Sequence, residues 1–233
     1  MSGKRGPPRG GKQKQKQNQY QKSNQPQINA EIESNWDQHI NDFDEMGLEP
    51  DLVHGIFSYG FKVPSEIQSL AIQPIHEGRN LIAHAQSGTG KTGAFGIGIL
   101  SRINVNEHST QALVLAPTRE LAIQIYDFIK EISNKMKKLT ISCFIGGDSS
   151  GQNQKEASSL PHIVIASPGR ALDLIEKSYL RVDKLSICCF DEADELLDEG
   201  FLEQIKSILQ YLSPEIQILL FSSTYPAHIY QIE

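Results

Sequence analysis

The sequence is poor in cysteine, with Cys143, Cys188 and Cys189 as its only three thiols in 233 residues. An odd count excludes a fully paired disulfide framework. Cys188 and Cys189 also sit inside an apolar run, where a buried strand keeps them from a common partner, so reduced structural cysteines are expected. No CxxC or HxxxH spacing occurs and the histidines do not cluster, which leaves zinc without a ligand set. Long apolar stretches are missing too. None reaches the ~20 residues that span a bilayer, and Met1 leads into Gly, Lys, Arg, Pro and Gln rather than an apolar signal core. A soluble, intracellular chain with no membrane partner is expected. The N-terminal lysines alternate with glutamine instead of forming a compact basic cluster, so cytoplasm and nucleus both stay open.

Acidic residues are absent from residues 1–30, which carry seven Lys or Arg, whereas the remainder holds 15 basic against 28 acidic residues. The net charge of −6 therefore averages a basic tail and an acidic body. Residues 2–27 are Gln-, Lys-, Gly- and Pro-rich with almost no aliphatic side chains. Such a segment buries too little apolar surface to offset its ordering entropy, and residues 1–35 are expected to be disordered. A like-charged tail attracts polyanions by counterion release, or simply keeps the chain soluble.

Apolar residues make up 39% of the chain, enough for a core in the folded unit expected over residues 36–233. Conventional patterning begins near Trp36, and Leu52, Ile56 and Tyr59 share one helical face. Beyond them, six short apolar runs read as buried strands: LIAHA from Leu81, ALVLA from Ala112, ISCFI from Ile141, HIVIA from His162, SICCF from Ser186 and ILLF from Ile218. Helical patterns such as Arg119–Lys130 and Phe201–Tyr211 separate them. Continuous apolar strands alternating with helices predict an α/β fold whose mostly parallel sheet is covered on both faces. In such sheets ligands bind beyond the carboxyl ends of the strands.

Directly after LIAHA comes AQSGTGKTGAFG. Glycines at 88 and 90 free backbone N–H groups to turn toward phosphate oxygens, and the following helix adds positive potential at its N-terminus. Lys91 can reach the β and γ phosphates, and the Thr92 hydroxyl can ligate Mg²⁺. The general GxxxxGK[ST] pattern is incomplete, with Ala85 in place of its first glycine. Gly88, Gly90 and Gly93 also spell GxGxxG, the dinucleotide fingerprint, but that reading needs an acidic residue at the end of the next strand. That strand ends in Pro117 and Thr118.

The run SICCF ends in Asp191, Glu192, Ala193 and Asp194. Carboxylates projecting from a buried strand need a compensating charge. A strand-end Asp191 can hold Mg²⁺, and Glu192 can orient or deprotonate an attacking water. Acids also favour first helical turns, so DEADELLDEG is compatible with a plain helix start.

Five segments in this order resemble the DEAD-box RNA helicase family: Gly88–Thr92, Pro117–Ala122 (PTRELA), Gly146 and Gly147, Ser167–Arg170 (SPGR), and the literal DEAD at Asp191–Asp194. GFKVPSEIQ resembles its adenine-recognition segment, with Phe43 as the isolated upstream aromatic. The resemblance runs from about Asn41 to the end, and phrases such as YGFKVPSEIQ look closest to the translation-initiation-factor branch. It implies a RecA-like three-layer sandwich. It implies nucleotide contacts from Phe61, which packs on adenine, and Gln68, which pairs with its edge. Further contacts fall along Ala85, Gln86, Ser87, Gly88, Thr89, Gly90, Lys91 and Thr92. ATP and Mg²⁺ are the implied cofactors, with Thr92 and Asp191 on the metal and Lys91, Asp191 and Glu192 as the catalytic set.

The same resemblance implies that Asp194 links to a coupling segment at Ser222 and Thr224. It also implies sequence-independent RNA backbone contacts from Pro117, Thr118, Arg119, Gly147, Ser167, Gly169 and Arg170. Arg119 and Arg170 alternatively serve as structural ion-pair partners. Two residues depart from the family pattern: Ser223 stands where it has alanine, and Ser167 where it has threonine. A buried Ser223 hydroxyl must find a partner. The resembled helicases continue into a second RecA-like lobe beyond the equivalent of Glu233. This chain is therefore expected to need such a lobe for local RNA strand separation, or else to serve as a catalytically weak module binding RNA or a helicase partner. Translation or RNA-processing factors are the expected protein partners.

Overall fold

A computed structural model describes residues 38–147, 150–198 and 200–224; the expected tail over 1–35 lies outside them. Six strands form one sheet: β1 (Leu81–His84), β2 (Ala112–Leu115), β3 (Ile141–Phe144), β4 (Ile163–Ala166), β5 (Ile187–Asp191) and β6 (Gln217–Ser222). Their order is β1-β6-β5-β2-β4-β3, and all five pairings are parallel. Each strand falls on one of the apolar runs.

Between them lie α1 (Pro50–Tyr59), α2 (Glu66–His76), α3 (Lys91–Leu100), α4 (Arg119–Ile132), α5 (Ser150–Ala157), α6 (Pro168–Glu176), α7 (Ala193–Leu196) and α8 (Leu202–Gln210). Strand side chains alternate between faces, so each run feeds two cores. Val114, Ile165, Leu219 and Phe221 join Leu52, Ile56, Ile72, Phe95 and Ile125 on one side. Leu113, Val164, Cys188 and Leu220 join Leu174, Ile205 and Ile208 on the other. The result is a helix–sheet–helix sandwich. Gly55 matters to the first layer, because a Cβ there would collide with the carbonyl oxygen of Ile132 and push α1 off α4.

The expectation of strands buried on both faces holds for β2, β4 and β5, whose residues are all buried. It is corrected at the edges. In β1 Ile82 and His84 are exposed, and β3 alternates half-buried with buried residues. An edge strand has one neighbour fewer, so its apolar content overstates its burial. Cys188 and Cys189 are fully buried free thiols, and burial raises both pKa values, leaving them inert.

Candidate functional site

A wholly parallel sheet sends every strand's carboxyl end the same way, so the predicted site residues share one rim. Following the sheet order, that rim reads the phosphate loop after β1, Ser222–Thr224 at β6, Asp191–Asp194 at β5, PTRELA after β2, SPGR after β4, and Gly146–Gly147 after β3. The proposed nucleotide and RNA segments therefore occupy adjoining halves.

In the nucleotide half, Gly88 (φ +82°) and Gly90 (φ +104°) take left-handed backbone, a region open to glycine at little cost. Gly90 caps α3, which begins at Lys91. Lys91 is only 6% exposed, and its Nζ lies 3.3 Å from both carboxylate oxygens of Glu192. Glu192 itself holds φ +48°, ψ +57°, a strained conformation for a side chain of its size. This bend follows the last residue of β5, Asp191, and turns the chain into the four-residue α7. The strand-end and helix-start readings of DEAD are thus both realised.

Asp191 is 2% exposed. Burial first, and then the neighbouring Glu192 charge, push its carboxyl up to about 6, against a partial offset from Lys91. Glu192 N–H donates to Asp191 Oδ1 at 3.0 Å. Two adjacent acids answered by one lysine form an under-compensated cluster, which a hard divalent cation would relieve. The carboxylate of Asp191 and the hydroxyl of Thr92, on the first turn of α3, are the oxygen donors that Mg²⁺ prefers.

Gln68 is bound more closely than the sequence indicated. Its Oε1 accepts from Ser65 N–H at 2.9 Å and its Nε2 donates to the Gly90 carbonyl at 3.2 Å, with 2% exposure. A side-chain amide has one further N–H and one further lone pair. Gly93 makes room for it: a Cβ there would clash with Gln68 Nε2. Phe61 is half-buried among Tyr59, Phe43 and Phe128, at ring centroid distances of 5.3, 6.2 and 6.1 Å. Pattern reading missed Tyr59 and Phe128 as its supports, although both lie on the apolar faces of their helices.

Asp194 faces β6. Its Oδ2 accepts from Thr224 Oγ1 at 2.6 Å, Thr224 N–H at 3.1 Å and Ser223 Oγ at 3.1 Å. Burial raises this carboxyl, but the hydroxyl donors outweigh it and hold the pKa below the usual aspartate value. Ser222 is 2% exposed and donates its hydroxyl to the Thr224 carbonyl at 2.7 Å. The Ser223 hydroxyl has therefore found the partner it required.

The other half is open. Thr118 and Arg119 are exposed, Pro117 half-buried. Thr118 Oγ1 accepts from Leu121 N–H at 3.2 Å, capping α4. Gly147 (φ +90°) is exposed, and a Cβ there would collide with Arg119 Nη1, so these two residues meet. Gly169 is exposed at the start of α6, and the half-buried Ser167 is its N-cap. Arg170, 14% exposed, pairs with Asp173 at 3.5 Å, so its structural role is real. A cavity of about 530 Å³ adjoins this segment, lined by Gly146, Ser167, Gly169, Arg170, Asp173, Lys177, Phe201 and Gln204. The sequence reading missed the last four lining residues, Asp173, Lys177, Phe201 and Gln204; the GF that closes DEADELLDEGF was an available signal for Phe201.

Residues 65–232 match the family model described as DEAD/DEAH box helicase. The chain belongs to this family. It is 48% identical over 201 residues to the ATP-dependent RNA helicase eIF4A of Candida albicans, covering 86% of this chain and 50% of that relative. With the eIF4A of Neurospora crassa the identity is 44% over 203 residues, or 87% and 51%. The chain thus spans about half the length of the curated relatives it matches. Among solved structures, a DEAD box protein from the hyperthermophile Methanococcus jannaschii aligns with a TM-score of 0.78 and 34% identity, over 83% of this chain and 53% of that one. S. cerevisiae Dbp5 bound to RNA and ADP BeF3 aligns with a TM-score of 0.76 and 35% identity, over 83% and 49%. The family's RecA-like sandwich is thereby the fold of the described residues.

Proposed function

We propose that residues 36–233 are the ATP-binding RecA-like lobe of a DEAD-box RNA helicase of the eIF4A kind, preceded by a basic tail over residues 1–35. The observation that carries this reading is the pair of buried Lys91 and half-buried Glu192 beside Asp191 at the foot of a glycine-rich loop. A phosphate chain entering that loop meets the N–H groups at the start of α3 and draws Lys91 Nζ from the Glu192 carboxylate. Glu192 is then available to accept a proton from an attacking water. Asp191 and Thr92 would hold Mg²⁺, which when bound supplies charge neutralisation at the transferred phosphoryl group. Gln68 and Phe61 give the adenine end, through an amide edge and an aromatic face backed by other rings.

Across the rim, Thr118, Arg119, Gly147, Ser167, Gly169 and Arg170 offer hydroxyls, guanidinium groups and loop amides to an RNA backbone, without base reading. Asp194 and the 222–224 segment lie within the nucleotide half, where the β6 end sits between those of β1 and β5, and couple it to the RNA half. Unwinding is proposed for a whole helicase of two lobes, since arginines from a second lobe are worth roughly 10³–10⁵ in rate. The chain alone then binds ATP and RNA and turns ATP over poorly. A soluble protein of the cytoplasm, the nucleus or both, working with translation or RNA-processing factors, fits this reading. Among the described residues no helix is long and apolar enough to cross a membrane. Photo-cross-linking of labelled 8-azido-ATP to the full chain tests the nucleotide assignment. Unlabelled ATP should compete and GTP should not; equal competition by GTP would remove Gln68 from the adenine site.

A further inference from the structure

Position 223 is where the chain carries serine in place of the family's alanine, and it is gripped twice. On the side-chain side, Ser223 Oγ donates to Asp194 Oδ2 at 3.1 Å, next to the two bonds from Thr224. On the backbone side, His84 Nε2 lies 3.0 Å from the Ser223 carbonyl oxygen. A carbonyl only accepts, so Nε2 carries the proton and donates. His84 ends β1, directly before the phosphate loop. It stands opposite Ser222 in the β1–β6 register, and Ala85 N–H donates to the Ser222 carbonyl at 3.1 Å. The segment 222–224 is thereby fastened to the loop's leading strand on one side and to the acidic strand end on the other.

We propose that His84 and Ser223 are positioning residues that transmit occupancy of the phosphate loop to the 222–224 segment. The proposal rests on the nucleotide reading above. Neither side chain is assigned a contact with phosphate or metal. His84 acts by holding the Ser223 carbonyl at a fixed distance from the end of β1. A shift of Ala85–Gly90 on filling is then passed to residue 223 as displacement. Ser223 acts by adding a hydroxyl donor to Asp194, so residue 223 cannot move without disturbing the carboxylate that also holds Thr224. The ring of His84 is exposed, which makes it open to substitution without loss of core packing.

The test follows the backbone amide signals of Gly90 and Thr224 by ¹⁵N NMR on the full chain as ATP and Mg²⁺ are added. Both signals should move in the unaltered protein. His84→Phe should keep the Gly90 response and reduce that of Thr224 by about threefold, the scale expected for losing one net hydrogen bond. His84→Gln, whose amide can donate to the same carbonyl, should restore it, which a purely structural role would not require. Ser223→Ala, a change to the family's own residue, supplies a second variant and should give a smaller loss. An undiminished Thr224 response in both His84→Phe and Ser223→Ala would overturn the proposal, as would failure of His84→Gln to restore it. A moving Gly90 with a silent Thr224 in the unaltered chain would overturn this inference alone. Silence at both would overturn the nucleotide reading and this inference with it.

Discussion

At the ends of β1, β6 and β5 the rim holds ionisable groups out of water, with Lys91 and Asp191 6% and 2% exposed. At the ends of β2, β4 and β3 it presents Thr118, Arg119, Gly147 and Gly169 to solvent. The first half stores unbalanced charge: two adjacent acids against one lysine, with Glu192 in strained backbone. Buried charges are costly unless paired, and here the compensation is incomplete. The second half has little to store. Its Arg119 lies against a glycine, Arg170 leans on Asp173, and the surface suits a flexible polyanion bound by many small contacts. Damage to the first half should therefore be severe and local, and damage to the second graded and dependent on salt.

The largest expected effect follows Lys91→Ala. Removing the lysine that answers Asp191 and Glu192 should lower ATP affinity by roughly 100-fold or more, in the range for truncating one member of a buried charge pair. RNA affinity measured by fluorescence anisotropy should stay near the unaltered value. Equal losses for both ligands would erase the distinction between the halves. Next, changing Arg119 and Arg170 together to Ala should weaken RNA by about tenfold. It should also flatten the log–log salt dependence by about 0.7 for each single-strand phosphate that is no longer neutralised. An unchanged slope would mean that the open half is not the RNA track.

A smaller effect concerns Asp191 and has a defined sign. Its folded-state pKa, about 6, lies above the ordinary aspartate value. That group's contribution to stability is full at low pH and lost as pH rises through about 6. Asp191→Asn should consequently raise the thermal midpoint at pH 7.5, by an amount on the order of 1 kcal/mol or a few degrees, with the gain shrinking toward pH 5. Because only the ionised carboxylate binds a cation well, Mg²⁺-dependent ATP affinity of the unaltered chain should fall as pH drops below about 6. Scanning calorimetry and ATP titrations across pH 5–8 would check both; destabilisation by Asp191→Asn at pH 7.5 would show the charge to be better compensated than its surroundings indicate.

The sequence disclosed the two halves unequally, for the same physical reason that separates them. Buried strands such as ICCF and IVIA announce themselves by continuous apolar residues, and acids placed at the end of one are conspicuous against that background. The strand order, and so the succession of segments along the rim, depends on pairings between distant residues that no local pattern encodes. Lys91 and Glu192 meet across 101 positions, and Gln68 reaches Gly90 across 22; each residue type was legible, their pairing was not. On the open side, glycines and arginines in loops have many ordinary uses. PTRELA and SPGR stood out through resemblance rather than chemistry, and in the cavity wall Asp173, Lys177 and Gln204 lacked even the signal that Phe201 had. LIAHA misled in a different way, since an edge strand with Ile82 and His84 exposed has the same composition as a buried one.

The central claim is that the Lys91–Glu192 pair is an ion pair that phosphate replaces, with Lys91 as the binding partner and Glu192 reserved for the water. Isothermal titration of ATP with Mg²⁺ into Glu192→Gln tests it most directly. The neutral amide releases Lys91 and relieves the repulsion on Asp191, so affinity should equal or exceed that of the unaltered chain. A loss comparable to that of Lys91→Ala would contradict the account.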